Sequence, residues 1–152
     1  MKKVILIVLI TMFASSVFAE TPSYVRKEYK AGTPEAIVSK FLASVKSGDM
    51  GGIYSTSTES FIKVYRDSLA ESCRENRISY AQTDTEFKYC LDRFEDFIVF
   101  EPTHHKKRIS GVKTQIIRVP AQYIRTDNND QTLGATFFLK NTQNGLKIYK
   151  SL

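Results

Sequence analysis

Two adjacent histidines, His104 and His105, are the only histidines in the chain and the first side chains to consider for acid–base or metal chemistry. Neighbouring residues of an extended segment point in opposite directions, so the two rings are poorly placed to bind one metal ion. Lys106, Lys107 and Arg108 follow directly, which predicts an exposed basic turn. We therefore predict no metal site here. A general base is one alternative, and contact with an acidic protein partner is the other.

Acidic side chains offer a second route to acid–base catalysis. Asp92, Glu95 and Asp96 cluster in the sequence, but no His or Lys is arranged beside them. We interpret them as surface acids rather than as a catalytic pair. The sequence also has no Gly-rich phosphate loop, no Ser-centred elbow and no His-Glu zinc signature. We assign no catalytic residue, no metal and no cofactor.

The N-terminal residues have the pattern of a secretory signal peptide. Lys2 and Lys3 precede an apolar run over residues 4–13, and small residues lead up to Ala19. The run is shorter than the roughly 20 apolar residues of a membrane-spanning helix. No cysteine follows Ala19 directly, so a lipid anchor is not expected. We predict cleavage near Ala19 and a periplasmic or secreted product with no membrane span.

Cys73 and Cys90 are the two cysteines of the chain. An oxidising compartment and an even count favour a disulfide between them. The entropy of closing a loop of about 15 residues corresponds to about 3 kcal/mol of stabilisation. A redox-active pair more typically has Cys-x-x-Cys spacing, and two thiols are too few for a closed zinc site.

The net charge limits the classes of partner that the protein could bind. The chain has 22 Lys and Arg against 16 Asp and Glu, so without Lys2 and Lys3 the balance is 20 minus 16, or +4. Nucleic acid is an implausible partner for an exported domain. An acidic protein, a phospholipid headgroup or a glycan is compatible with a mildly basic surface.

The mature chain divides into a polar leader over residues 20–32 and one domain over residues 33–152. Thr33 is suited to cap a helix and Pro34 to occupy its first position, and Gly48 is suited to end it. A short second segment follows and leads to Tyr54.

Two further helices are marked by capping-box spacing. Thr56 with Glu59 predicts a helix that runs to about Arg74, and Thr83 with Glu86 predicts another. The apolar side of the last helix is predicted to carry Phe87, Cys90, Leu91 and Phe94.

After Glu95 the hydrophobic period changes to two, which indicates strands. Pro120 lies within the longest run and has no N–H for the ladder, so we expect a bulge or a sheet edge there. Asn144-Gly145 is typical of a hairpin turn. The predicted strands are residues 97–100, 114–126, 133–140 and 146–151.

Helices followed by strands predict an α+β fold, with the helices packed on one face of a curved antiparallel sheet. The opposite, outer face is not purely polar, because alternation places Ile116, Ile124, Phe138 and Tyr149 on it. Such an apolar patch often marks a partner surface. The alternative is that the C-terminal turns or the leader cover it.

Several features together resemble the nuclear transport factor two-like superfamily, whose members form a cone-shaped α+β roll. The helix over residues 34–49 ends in Gly-Asp, a short segment ends at Tyr54 before another helix, and long strands are joined by tight hairpins. The ending Asn-Gly-Leu-Lys-Ile-Tyr over residues 144–149 is similar to the family's close, with Leu146 where Trp is usual. The resemblance covers residues 33–152 and implies an exported bacterial member.

The resemblance implies a pocket between the helices and the concave sheet face, and pairing of two copies through the outer face. We expect Tyr54, Tyr65 and Tyr123 at the rim of this pocket and Phe137 within it. Enzymes of the superfamily use a pocket carboxylate or histidine as proton acceptor. The inward strand positions of this chain offer none.

We therefore predict an exported, non-enzymatic domain that binds a small apolar ligand or a protein partner and forms a homodimer through the outer sheet face. Two alternatives stay open. One is an inhibitor or immunity-like protein that blocks an enzyme through the basic segment from His104 to Arg108. The other is an isomerase- or hydrolase-like enzyme with an unrecognised acid–base pair.

Overall fold

The computed structural model describes residues 28–75, 83–91, 94–109, 111–125 and 132–152. The predicted signal peptide, residues 20–27 of the leader and the side chain of Cys73 lie outside the described part. The helices are α1 (Pro34–Ser47), α2 (Met50–Thr56), α3 (Glu59–Glu75) and α4 (Asp84–Cys90). The strands are β1 (Phe94–Val99), β2 (Thr103–Ile109), β3 (Val112–Arg125), β4 (Thr132–Thr142) and β5 (Gly145–Ser151).

The five strands form one antiparallel sheet that is strongly curled, and the helices pack on it. The strand order is β1-β3-β4-β5. Strands β1 and β2 pair with the same edge of β3: β2 with its first half and β1 with its second half. The predicted α+β class is confirmed. Helices on one side of a curled sheet enclose a hollow, which is the feature that positions the candidate site.

Helix α1 forms as the sequence predicts. The hydroxyl of Thr33 accepts a hydrogen bond from the Ala36 N–H at 3.3 Å, and Pro34 opens the helix. Gly48 ends it with φ 68°, a left-handed conformation that glycine adopts without a Cβ penalty. The face toward the sheet is apolar and buried, and its members include Val38, Phe41, Leu42 and Val45.

The predicted capping box of Thr56 and Glu59 is wrong. Thr56 is the last residue of α2, and its hydroxyl donates to the carbonyls of Gly52 and Ile53. The cap of α3 is Thr58, whose Oγ1 accepts from the Phe61 N–H at 3.3 Å. Thr58 is also held by its own N–H, which donates to the Ile148 carbonyl of β5 at 2.9 Å. This pairing with the sheet edge decides which of two nearby threonines begins the helix.

Helix α4 begins with the predicted box, because Thr83 and Glu86 exchange both hydrogen bonds. It ends at Cys90, however, so Leu91 and Phe94 do not continue its apolar side. Leu91 has extended backbone and Phe94 opens β1, yet both are buried in the core. Leu91 is buried from the residue that follows the helix and Phe94 from the start of β1, so the hydrophobic pattern that predicted a longer helix is satisfied without one.

The predicted basic turn over residues 104–108 is wrong, because these residues form most of β2. Their backbone pairs along β3, from His104 opposite Ile117 to Arg108 opposite Lys113. A row of long cationic side chains is compatible with a strand at a sheet edge, where charge discourages pairing with other chains. The segment is therefore a strand, and its described side chains are exposed.

Pro120 lies inside the central strand β3, and its register with β4 is continuous, so no bulge forms on that side; on its other side Pro120 lies at a local gap in the sheet. Pairing with β1 ends at Ala121 and pairing with β2 begins at Arg118, so the neighbouring strand is broken opposite Pro120. The Pro120 carbonyl accepts from the Phe100 N–H at 2.9 Å. The missing proline N–H faces this corner, where no ladder partner needs it.

The core lies between the helices and the inner sheet face. Alternate residues of β3 and β4 face it, as predicted, and the largest fully buried side chains belong to both layers. They are Phe41, Phe87, Ile53, Leu139, Ile148, Val38 and Val119. Tyr29, from the end of the predicted leader, packs against this core and donates from its phenol to the Val99 carbonyl at 2.6 Å.

Candidate functional site

A cavity of about 220 Å³ lies between α1, α3 and the inner sheet face. It contains three of the four side chains that the sequence analysis placed in a pocket, Tyr65, Tyr123 and Phe137. The other lining residues are Phe41, Leu42, Val45, Phe61, Ser68, Phe94, Gly134, Ala135, Ser151 and Leu152. The curvature of the sheet brings these distant segments together.

Aromatic rings in edge-to-face contact form the wall of this cavity. The ring of Phe41 lies 5.7 Å from those of Phe61 and Tyr65 and 5.6 Å from that of Phe137, at angles of 61 to 65°. Phe61 and Tyr65 are stacked at 5.8 Å, as expected for residues four apart on one helix. Centroid distances in this range add to the stability that area burial alone provides. The rings of the wall are therefore closely packed.

The chemistry of the lining is apolar with a few hydroxyl groups. Tyr65 and Tyr123 contribute phenols and Ser68 and Ser151 contribute hydroxyls, while the other described lining residues are apolar. An engineered apolar cavity of about 150 Å³ is large enough to bind benzene. A cavity of about 220 Å³ therefore suits a small apolar or aromatic molecule with one hydrogen-bonding group.

Tyr54, the fourth predicted pocket residue, lies elsewhere. Its phenol donates to the Asp84 carboxylate, and the Arg66 guanidinium donates to both groups. The same guanidinium lies 4.7 Å from the centroid of the Phe87 ring. Tyr54 belongs to α2, Arg66 to α3 and Asp84 to α4, so this cluster ties three helices together. The sequence around Tyr54 does not indicate these contacts, because Arg66 and Asp84 lie 12 and 30 residues further along the chain.

The cluster perturbs the titration of two of its members. The hydrogen bond from Tyr54 is the largest influence on the pKa of Asp84 and lowers it; burial opposes this effect, and the adjacent Arg66 guanidinium lowers the pKa further. Burial, followed by the hydrogen bond to Asp84, raises the pKa of Tyr54. Both changes stabilise the neutral phenol beside an ionised carboxylate, an arrangement suited to holding the helices together.

We expect Asp84→Asn to lower the free energy of unfolding at pH 7 by less than about 1 kcal/mol, because exposed ion pairs contribute little and this carboxylate is 54% exposed. The folded pKa of Asp84 is below its ordinary value of 3.8, so its contribution is present above that pH and is lost as the pH falls through the folded pKa. Urea unfolding between neutral and acidic pH measures this loss. Asp84→Asn should not show this acid loss of stability, whereas Glu101→Gln, on an exposed loop, should show it as the unmodified protein does. The same pH dependence of unfolding in both variants would contradict the contribution of Asp84.

A larger cleft of about 990 Å³, lined mostly by residues with polar side chains, adjoins this cluster at the start of α3. Tyr54 and Arg66 line one side, and Thr142, Asn144 and Lys147 of the β4–β5 hairpin line the other. The Lys147 ammonium donates to the Ser55 carbonyl. The remaining lining residues are Ser57, Thr58, Glu59, Ser60, Ile62 and Lys63. No feature of the sequence alone predicted this cleft.

The outer sheet face does not carry one continuous apolar patch. Phe138 and Tyr149 are in contact, with ring centroids 6.4 Å apart, and both are half-buried. Ile116 is buried, and Ile124 lies opposite Thr132, six residues along β3 from the position that pairs with Phe138. At about 3.4 Å per residue this separation is about 20 Å. The predicted four-residue surface is therefore divided.

Both histidines of β2 and its cations Lys106 and Arg108 are exposed at a sheet edge. The His105 ring lies 3.3 Å from the Thr103 hydroxyl, and the His104 ring lies 3.1 Å from the Gln115 side-chain amide. The side chains of Lys106 and Arg108 are exposed, and that of Lys107 lies outside the described part. Within the described residues no group of three or more His, Cys, Asp or Glu side chains is arranged to hold a metal.

In the described part of the chain, no helix combines the length and apolar character that crossing a membrane requires. Comparison with known proteins finds no matching family model, no matching curated protein and no matching solved structure. The α+β architecture, with helices on a half-barrel antiparallel sheet, is compatible with a nuclear transport factor two-like roll.

Proposed function

We propose that this protein is a small exported domain of the nuclear transport factor two-like type that binds an apolar ligand in the cavity between its helices and its sheet. The single observation that carries the proposal is the ring-lined cavity of about 220 Å³ with Phe41, Tyr65, Tyr123 and Phe137 in its wall. Ordered aromatic walls with a few hydroxyl groups are typical of sites that bind small molecules. No side chain of the described lining is a carboxylate, imidazole or amine, which favours binding over acid–base catalysis.

Export and a Cys73–Cys90 disulfide belong to the same proposal. The basic start, apolar run and small residues before Ala19 support export to the periplasm or outside the cell. Cys90 is 7% exposed, and no free cysteine is found among the described residues, which supports the disulfide. A staple of this kind would link α3 to α4. The homodimer, inhibitor and enzyme hypotheses stay predictions.

Indole is a suitable probe because it is a flat, apolar molecule with one hydrogen-bond donor. We expect it to shift the amide NMR signals of residues around the cavity and to bind the purified protein saturably. Ala135→Leu adds three carbon atoms at a lining position and should weaken binding at least about tenfold. The larger side chain fills the space in which the indole ring would bury its apolar surface. Titration followed by NMR measures the affinity.

Thr132→Leu, an equally apolar change at an exposed position of the same strand, is the matched control and should leave indole binding unchanged. Ala135→Val, a smaller addition with good strand propensity, gives an intermediate loss if the larger variant folds poorly. Unchanged binding in both Ala135 variants, or shifts confined to residues far from the cavity, would disprove the proposal.

A further inference from the structure

The outer sheet face carries a cluster in which cations surround two aromatic rings. We call it the aromatic–cation patch, and it consists of Arg118, Phe138, Lys140, Tyr149 and Lys150. The Arg118 guanidinium lies 5.6 Å and the Lys150 ammonium 5.7 Å from the centroid of Phe138. The Lys140 ammonium lies 5.3 Å from the centroid of Tyr149. The residues come from three adjacent strands.

The sheet register produces this arrangement. Arg118 of β3 and Lys150 of β5 both pair with Phe138 of β4, so their side chains flank that ring on the same face. The register shifts between Phe138 and Leu139, which leaves Tyr149 without a directly paired residue. Both rings are half-buried, so the aliphatic parts of the Lys and Arg side chains cover only part of their apolar surface.

No acidic residue of the described strands lies in the patch. In the five strands the only acids are Glu95 and Asp96 of β1. Asp96 pairs with Ile124, about 20 Å along β3 from Arg118. That distance exceeds the screening length of about 8 Å at physiological ionic strength. The positive charge of the patch is therefore available to an external anionic surface.

We infer that the aromatic–cation patch docks the protein on an anionic phospholipid bilayer. Aromatic rings lie favourably at the depth of lipid headgroups, and Lys and Arg beside them pair with headgroup phosphates while their stems cover apolar surface. Each basic residue near an anionic bilayer contributes about 1 kcal/mol, a factor of about five in affinity. The inference is independent of the inner cavity, which faces the other side of the sheet.

A second copy of the chain is a poor occupant of this face. Two patches brought together would place Arg118, Lys140 and Lys150 of one copy against the same cations of the other, and like charges at short distance oppose association. An acidic peptide could satisfy the charges, but the two partly exposed rings between the cations match a surface with both phosphate and apolar depth. We therefore choose the bilayer.

The test is sedimentation of the purified protein with vesicles of equal parts phosphatidylglycerol and phosphatidylcholine. We expect binding that weakens with added salt and is not found with pure phosphatidylcholine vesicles. The combined variant Arg118→Gln, Lys140→Gln and Lys150→Gln should bind about 100-fold more weakly, because three factors of about five multiply. Thermal unfolding of the variant checks that it is folded.

The matched control is Lys40→Gln, Lys63→Gln and Lys88→Gln, which removes the same charge from exposed helical positions. It should lose less than about fivefold in affinity. Equal losses in the two triple variants, equal binding to neutral vesicles, or no binding to either would overturn the inference. So would a polyglutamate peptide that binds the patch when vesicles do not, or a dimer in light scattering that the patch variant abolishes.

Discussion

Phe41→Ala is expected to lower the free energy of unfolding by about 3–5 kcal/mol, the usual range for loss of a buried aromatic ring. Phe41 is 2% exposed, and its ring contacts those of Phe61, Tyr65 and Phe137. It connects α1 with α3 and with the sheet, so its removal leaves a void that neither layer fills easily. Small domains are marginally stable, so this loss is a large part of the total.

Urea unfolding followed by circular dichroism measures this effect. Val64→Ala, in α3 at 65% exposure, is the control and should change the free energy by less than about 0.5 kcal/mol. A loss below about 1 kcal/mol for Phe41→Ala would show that the rings are not packed as described. Because Phe41 also lines the cavity, this variant should weaken indole binding as well, which links the stability of the wall to the proposed function.

Gly52→Ala is expected to destabilise the protein by about 1–3 kcal/mol, the range for overpacking a filled core. A Cβ at Gly52 would lie 1.9 Å from Ser44 Oγ and 2.8 Å from Ser44 Cβ, and 2.5 Å from an Asp49 carboxylate oxygen. Ser44 is 4% exposed and has little room to move. The gain of up to about 1 kcal/mol from replacing a helical glycine by alanine does not offset these collisions.

Gly51→Ala provides a control that differs by one position. The added Cβ would meet only an Asp49 oxygen at 3.4 Å, an ordinary contact. This variant should therefore be stabilised by up to about 1 kcal/mol, so the two neighbouring changes should have opposite signs. Adding Ser44→Gly to Gly52→Ala removes the Oγ and Cβ contacts and should restore part of the loss. Similar unfolding midpoints for the two alanine variants would contradict the close approach of α1 and α2.

Much of the fold was predictable because its signals are local. The first helix follows from the Thr33 cap, Pro34 and Gly48, each of which acts within a few residues. Alternation along β3 and β4 correctly gave the inner face, since side chains of a strand alternate between its two sides. The α+β class followed from the order of these elements.

The errors lie where tertiary pairing overrides a local pattern. Thr56 and Thr58 are both suitable caps, and the hydrogen bond from the Thr58 N–H to Ile148 selects the second. Residues 104–108 are charged enough to suggest a turn, but pairing with β3 makes them a strand. Phe94 fits the apolar side of a helix, but its side chain is buried in the core from the first position of β1.

The candidate site divides in the same way. The residue types and alternation of the sequence determined that Tyr123 and Phe137 face inward on neighbouring strands and that a greasy interior would form. The resemblance also placed Tyr54 and Tyr65 at this pocket; the curl of the sheet and the packing of the helices bring Tyr65 to it, whereas Tyr54 contacts Arg66 and Asp84 instead. Local hydrogen bonding and hydrophobic period fix which way a side chain points, whereas its neighbours depend on contacts between segments far apart in the chain.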